Sequence, residues 1–461
     1  LDEYEDTKKF FLEAKSNFNY NEKLYHAISL LNVNTTNVDF RQNVLKELID
    51  KDFYKEKTLV FEYIYNNNLR YNWSQKDFFD FTNKIKDKLP YINLPKIEET
   101  KKEKIKIGFV SSNLSSNHSV TYFVKDLFNF RNENFEIHIF SDFDAKREDN
   151  TTKIIKTNVD FFHNISKKSN SEFASFLRSI GIDILIDMNG YVGKGRVEIF
   201  NSRVCKLQIS WLGYNNTIGL NHSDYLIADK NLILENEKGL YKEKIIYLDG
   251  IWNSHSGLNI ARKFNKLPSQ NNDTFTLGSF NNYSKISEDT VEVWSKILKK
   301  IKNSKLILKS SVTHSEIHFK DIFKKEGILN KVIFKDRSNN FEEHMNLYKD
   351  IDLCLDTFPY TGVTTTCEAL WMNVPVISME GFNFNSRCGK SILINSDLKD
   401  MVAKNKDEYI SKVVSLANDP DKLEKIRKHI FDEVLKTNTF NTKRFAANFW
   451  KSILDTYKNH K

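Results

Sequence analysis

Cysteine is scarce in this sequence and lies scattered. Cys205, Cys354, Cys367 and Cys388 form no CxxC pair, which argues against both a disulfide framework and a zinc site. Cys354 and Cys367 sit among apolar neighbours and read as small core residues. No apolar run approaches the roughly 18 residues that mark a membrane-crossing helix, and no signal-peptide pattern is present. The expectation is a cytoplasmic protein with no membrane insertion. A basic stripe is missing as well. The 69 basic residues barely outnumber the 61 acidic ones, and Glu103 interrupts the densest cluster, Lys101, Lys102, Lys104 and Lys106. A nucleic-acid partner is therefore not expected, although a net charge of +8 can help draw in an anionic nucleotide.

Several catalytic signatures are absent too. No GxSxG, no GxxxxGKS/T and no HExxH string occurs, so hydrolase, kinase and metalloprotease readings lose support. The dinucleotide fingerprint GxGxxG is missing, which argues against a dehydrogenase. Asp142-Phe-Asp144 is a DxD string that could hold a divalent metal under a diphosphate. No histidine or further carboxylate cluster supports it, so it reads as chance, with no metal and no cofactor expected.

A chain of 461 residues is too long for one core. Its 40% hydrophobic and 28% charged content fits an ordinary globular protein. Residues 1–95 read as helical, with apolar positions at three- and four-residue spacing in Phe10–Leu12, Tyr25–Leu31 and Leu59–Tyr65. They could be a remnant of a helical repeat, but no fixed period is found. Leu89–Pro95 and the charged residues after it form a linker. From Ile105 short apolar strands alternate with helices. The predicted strands are Ile105–Ser111, Phe135–Ser141, Ile182–Met188, Leu207–Leu212, Tyr225–Ala228 and Ile245–Leu248. Residues 256–273 are polar and read as a second linker. The alternation then resumes with strands at Phe275–Phe280, Leu306–Lys309, Val332–Lys335, Leu353–Asp356 and Val374–Met379. Such alternation predicts an α/β fold of two domains, 104–255 and 274–440, each with a parallel sheet covered on both faces. Residues 441–461 read as a terminal helix. Ligands of these sheets bind at the carboxyl ends of the strands, and a cleft between two such domains is the expected site.

The segment Leu353–Trp371 carries the most chemistry. An apolar strand ends at Asp356, a Pro/Gly turn follows, and Thr364, Thr365 and Thr366 then open a helix. A helix N-terminus exposes free N–H groups and partial positive charge, and hydroxyls added to it make a phosphate cradle. The same threonines could equally serve as caps. Lys285 lies in a loop after a strand and could neutralise a diphosphate, or be one solvated lysine among many. His118, after the first strand of the first domain, could take a proton or bond a sugar, or merely stabilise a turn. His344 could bond a base or phosphate. Glu368 could close a capping box or accept bonds from ribose hydroxyls.

Five strings in order resemble the catalytic region of the O-GlcNAc transferase/SPINDLY family, a GT-B glycosyltransferase fold. They are Ile107-Gly-Phe-Val-Ser-Ser with His118-Ser-Val-Thr-Tyr-Phe123; Asp183 through Met188-Asn-Gly-Tyr191; Gln208-Ile-Ser-Trp-Leu-Gly-Tyr214; Phe280-Asn-Asn-Tyr-Ser-Lys-Ile286; and Asp356-Thr-Phe-Pro-Tyr through Ala369-Leu-Trp371. The resemblance implies an inverting, metal-independent transfer of a sugar from a nucleotide sugar to serine or threonine hydroxyls of proteins. It implies His118 on the acceptor side and Lys285 on the donor diphosphate, with Asn282 beside it. His344 would pack on the base, Thr364 and Thr365 would hold the β-phosphate at the helix start that also includes the donor-side Thr366, and Glu368 would bind the ribose. Leu212 and Gly213 would line the sugar pocket, with Asn189, Tyr191 and Tyr214 near it. Val363 stands where animal members have histidine, and Asn215 where proline is frequent. UDP-GlcNAc is the favoured donor. GDP-fucose is the alternative, since the Thr-Thr-Thr-Cys-Glu string is nearer the SPINDLY type. A role in surface polysaccharide synthesis and a non-catalytic scaffold are further alternatives.

Overall fold

The structure, a computed structural model, describes residues 38–50, 57–97, 102–115, 118–309 and 317–460. The helical expectations at Phe10–Leu12 and Tyr25–Leu31 lie outside the described residues. Three helices precede the first sheet: α1 (Val38–Asp50), α2 (Lys57–Asn68) and α3 (Gln75–Ile85). Ser74 and Asp77 cap α3 reciprocally, each side chain accepting from the other's backbone N–H. Phe78, Thr82 and Ile85 face inward from it at helical spacing.

The first sheet holds β1 (Ile105–Ser111), β2 (Phe135–Ser141), β3 (Phe161–Asn164), β4 (Ile184–Asp187), β5 (Leu207–Ser210), β6 (Tyr225–Ala228) and β7 (Lys244–Tyr247). Its order is 3-2-1-4-5-6-7 and every pairing is parallel. The crossovers include α4 (Thr121–Asn129), α5 (Asn150–Thr157), α6 (Asn170–Ile180) and the short α7 (Val197–Phe200). After the single turn α8 (Ser269–Asn272), the second sheet comprises β8 (Phe275–Ser279), β9 (Ser304–Lys309), β10 (Val332–Lys335), β11 (Leu353–Leu355), β12 (Val376–Met379) and β13 (Val402–Ala403). Its order is 10-9-8-11-12-13, again parallel throughout. Around and after it lie α9 (Glu288–Lys300), α10 (Ile317–Lys325), α11 (Phe341–Asn346), α12 (Thr364–Trp371), α13 (Phe384–Ile394), α14 (Lys406–Ala417), α15 (Pro420–Glu433) and α16 (Thr442–Asn459). Each sheet reverses its winding once, at β1/β4 and at β8/β11. A crevice opens there beyond the carboxyl ends of the strands.

Two strands were not expected. β3 is an edge strand whose Phe161 is 47% exposed. Its Phe-Phe-His-Asn sequence lacks the continuous apolar run of a central parallel strand. β13 is only two residues long. The terminal helix α16 packs against more than its own domain. It returns to the first domain, where Phe449 packs 4.7 Å from Trp211 and Trp450 lies 5.3 Å from Phe135, ring centre to ring centre. Periodicity marks an amphipathic helix but not the sheet it will cover. The chain thus crosses between the domains twice, and the two crossings touch. His255 N–H donates to Thr439 O at 2.7 Å, and Ser254 Oγ donates to the same oxygen at 3.1 Å.

Candidate active site

The strand ends of the two sheets face one cavity of about 410 Å³. From the first domain it is lined by His118, Ser119, Val192, Leu212, Gly213 and Asn253. From the second it is lined by Asn281, Asn282, Lys285, Tyr360, Val363, Thr364 and Thr365. Seven of the residues singled out in the sequence therefore meet in one place: His118, Leu212, Gly213, Asn282, Lys285, Thr364 and Thr365.

The second-domain wall is organised by Asp356, buried at the end of β11. Its Oδ1 accepts from the backbone N–H groups of Thr357 (2.9 Å) and Gly362 (2.6 Å) and from Asn281 Nδ2 (3.3 Å). Its Oδ2 accepts from Ser378 Oγ at 2.6 Å. Burial pushes this carboxyl above its usual range, opposed by Ser378, Gly362 and Lys285. The carboxylate folds the loop 357–363 back on itself. Gly362 is required for this, because a Cβ there would sit 2.7 Å from Thr365 Oγ1 and 2.8 Å from Thr366 Oγ1.

That loop delivers the N-terminus of α12. Its N-cap is Val363, and no side chain caps the helix. Thr364, Thr365 and Thr366 occupy the first turn, so none of them caps it. Thr365 Oγ1 donates to Asn281 Oδ1 at 2.8 Å, Thr366 is buried beneath, and Thr364 lines the cleft. The uncapped N–H groups and the helix dipole are left for an anion. Lys285 completes this pole. Its Nζ donates to Thr361 O at 3.1 Å and lies 4.5 Å from the centre of the Tyr360 ring. Burial lowers its pKa from the ordinary lysine value, and Asp356 works against that.

Opposite stands His118. Val120 N–H donates to its Nδ1 at 3.3 Å, and burial lowers the pKa of the ring. A neutral ring that accepts at Nδ1 carries its proton on Nε2, so the remaining ring nitrogen is a hydrogen-bond donor. Leu212 adopts a left-handed backbone, φ 77°, a conformation that costs a non-glycine residue roughly 1–3 kcal/mol and clusters at functional sites. Gly213 follows because a Cβ would lie 2.0 Å from Met188 O.

The remaining expected residues lie behind this cavity. His344 Nε2 is 3.2 Å from Glu368 Oε2, and Tyr348 OH donates to that same oxygen at 3.2 Å. Asn189 ties two first-domain loops together, accepting from Ser112 N–H at 2.9 Å and donating to Ser112 Oγ at 2.8 Å and Val192 O at 3.1 Å. Tyr191 is buried and donates to Ile218 O at 2.6 Å, while the Tyr214 hydroxyl accepts from Asn68 Nδ2 at 3.3 Å. The DxD string is occupied otherwise. Asp142 is paired with Arg196 at 2.8 and 3.0 Å, and Asp144 accepts from Lys146 N–H at 3.0 Å. Among the described residues no group of three or more His, Cys, Asp or Glu is placed to hold a metal.

Sequence reasoning missed Asn281, Asn253 and Tyr360, and also Tyr65 of α2, which lines the same cavity. Asn281 stands one residue before Asn282, at a strand's carboxyl end, a signal that could have found it. Asn253 is 1% exposed, and among the described residues neither of its amide atoms has a hydrogen-bond partner.

The sequence matches glycosyl transferase family 41 over residues 78–257 and 253–449. It is 30% identical over 372 residues to an Arabidopsis thaliana protein named probable UDP-N-acetylglucosamine–peptide N-acetylglucosaminyltransferase SPINDLY, covering 77% of this chain and 40% of that protein. It is 28% identical over 380 residues to the Arabidopsis thaliana protein of the same description named SEC, covering 80% and 38%. The chain thus spans about two fifths of the length of these relatives. In fold it is similar to a mutant of the Thermobaculum terrenum O-GlcNAc transferase, with a TM-score of 0.85 at 22% identity, covering 95% of this chain and 84% of that one. No helix among the described residues is long and apolar enough to cross a membrane. Two parallel sheets facing across a cleft, with a lysine and a bare helix N-terminus on one wall, are accounted for by one assignment: the chain belongs to glycosyl transferase family 41 and has the GT-B fold.

Proposed function

We propose that this protein transfers a sugar, with inversion and without a metal, from a nucleotide sugar to serine or threonine hydroxyls of a protein. The observation that carries the proposal is the convergence of Lys285, Thr364 and the uncapped start of α12 on one wall of the cleft, with His118 on the other. The acceptor hydroxyl oxygen attacks the anomeric carbon as the bond to the diphosphate oxygen breaks; negative charge grows on the leaving nucleoside diphosphate, and a phosphate oxygen of that leaving group takes the hydroxyl proton. Lys285 and the N–H groups of α12 meet that charge with positions fixed in advance. His118, with Nδ1 engaged by Val120, orients a sugar or acceptor oxygen through its Nε2–H and is not set to take up the proton.

UDP-GlcNAc is the donor we favour, supported by the names of the relatives above. GDP-fucose is the second reading. The Thr364-Thr-Thr-Cys-Glu368 string supports it, being nearer the SPINDLY type. Titration calorimetry with UDP, GDP, UDP-GlcNAc and GDP-fucose tests both. Binding of UDP and UDP-GlcNAc is expected, binding of the guanosine pair alone transfers the reading to fucose, and binding of none refutes it. Turnover unchanged by EDTA tests metal independence.

A further inference from the structure

The end of α2 reaches the second domain at three points. Tyr65 lines the cleft, packs 6.0 Å from the Tyr360 ring and shares a side-chain hydrogen bond with it. The other side of this contact is Lys285, whose ammonium lies 4.5 Å from the Tyr360 ring centre. Three residues on, buried Asn68 accepts at Oδ1 from Asn216 Nδ2 (3.0 Å) of the first domain and from Asn385 Nδ2 (2.7 Å) of α13. Two residues further, Arg70 Nη1 donates to Ser284 O at 3.1 Å, the carbonyl immediately before Lys285. A lysine side chain is long and rotatable, so its usefulness to a diphosphate depends on what fixes its stem and its loop.

We propose that Tyr65 and Arg70 are positioning residues for Lys285, which makes the helical region before the first sheet a working part of the donor site. Tyr65 braces the ring over which the ammonium lies, and Arg70 holds the backbone from which the side chain springs. Neither needs to touch the nucleotide. The inference rests on the donor reading above.

A double-mutant cycle on the intact chain tests it, read as affinity for UDP and GDP by calorimetry. Arg70→Ala and Tyr65→Ala are each expected to weaken binding about tenfold. Arg70→Lys, which keeps a donor, is expected to recover part of the loss. In a Lys285→Ala background the same two substitutions are expected to cost nothing further, because the group they position is gone. Melting temperatures are measured alongside, and Tyr65→Phe, which keeps the packing, replaces Tyr65→Ala should the latter unfold. Equal losses with and without Lys285 overturn the inference, as does wild-type affinity in both single variants. If wild-type protein binds neither nucleotide, the donor reading itself fails and the inference falls with it.

Discussion

His344 bridges two ions: its Nδ1 lies 3.0 Å from Lys309 Nζ and its Nε2 lies 3.2 Å from Glu368 Oε2. An ammonium can only donate, so Nδ1 accepts and Nε2–H donates to the carboxylate. Glu368 Oε2 is thus committed to His344 and Tyr348. The carboxylate is held in one orientation behind the first turn of α12, which leaves Oε1 for the ribose contact proposed for it. Glu368→Gln is expected to weaken nucleoside diphosphate binding about tenfold, the scale of losing one hydrogen bond to a charged group. Wild-type affinity in that variant, measured by calorimetry, would show that Glu368 serves only His344 and Tyr348.

Lys285→Ala is expected to lower kcat by roughly 10²–10³-fold, the usual cost of removing one preorganised group from developing charge, with a melting temperature that does not fall. Near-normal turnover would refute its role. The sign of its pH dependence follows from its lowered pKa. The useful form is the protonated one, so activity falls as pH rises through a value below the ordinary lysine pKa. Stability runs the other way. Between the folded pKa and the ordinary value the unfolded chain binds more protons, so this lysine's unfavourable contribution fades as pH rises. Activity holding flat past the ordinary lysine pKa would contradict this.

His118→Gln keeps a hydrogen-bond donor and is expected to retain measurable transfer, with a pH–rate profile of the wild-type shape. Loss of an acidic limb in that variant would show that the imidazole does take a proton.

Asn253 is buried and its amide pairs with no group among the described residues; an amide left unpaired costs about 1–3 kcal/mol. Asn253→Leu, of similar shape, is expected to melt at or above the wild-type temperature by calorimetric scan. A fall of several degrees would mean that the amide is bonded in solution.

The central strands were legible because parallel strands covered on both faces are continuously apolar, as Ile105–Ser111 is. Lys285, His118 and the threonines were legible for a related reason: each stands a few residues past such a strand, where doubly wound folds place their ligands. Tyr65 left no such trace. It sits in a helix rich in aromatic residues, and only the docking of α2 against the loop 281–285 and Tyr360 separates it from its neighbours. Asp356 was visible as the end of a strand, but its role as the anchor of a folded-back loop depends on Gly362 and Ser378 arriving from elsewhere in the chain.

The paired crossings between the domains, at His255 and Thr439, set how this cleft can open. A single tether would let one domain swivel about any direction. Two adjacent segments joined by hydrogen bonds act as a short pivot. The lobes then separate by swinging about it, with the smallest displacement beside the pivot and the largest at the far rim. A nucleotide entering or leaving as proposed would then require a jaw-like motion that brings the lysine and the histidine back to the same register at each closure.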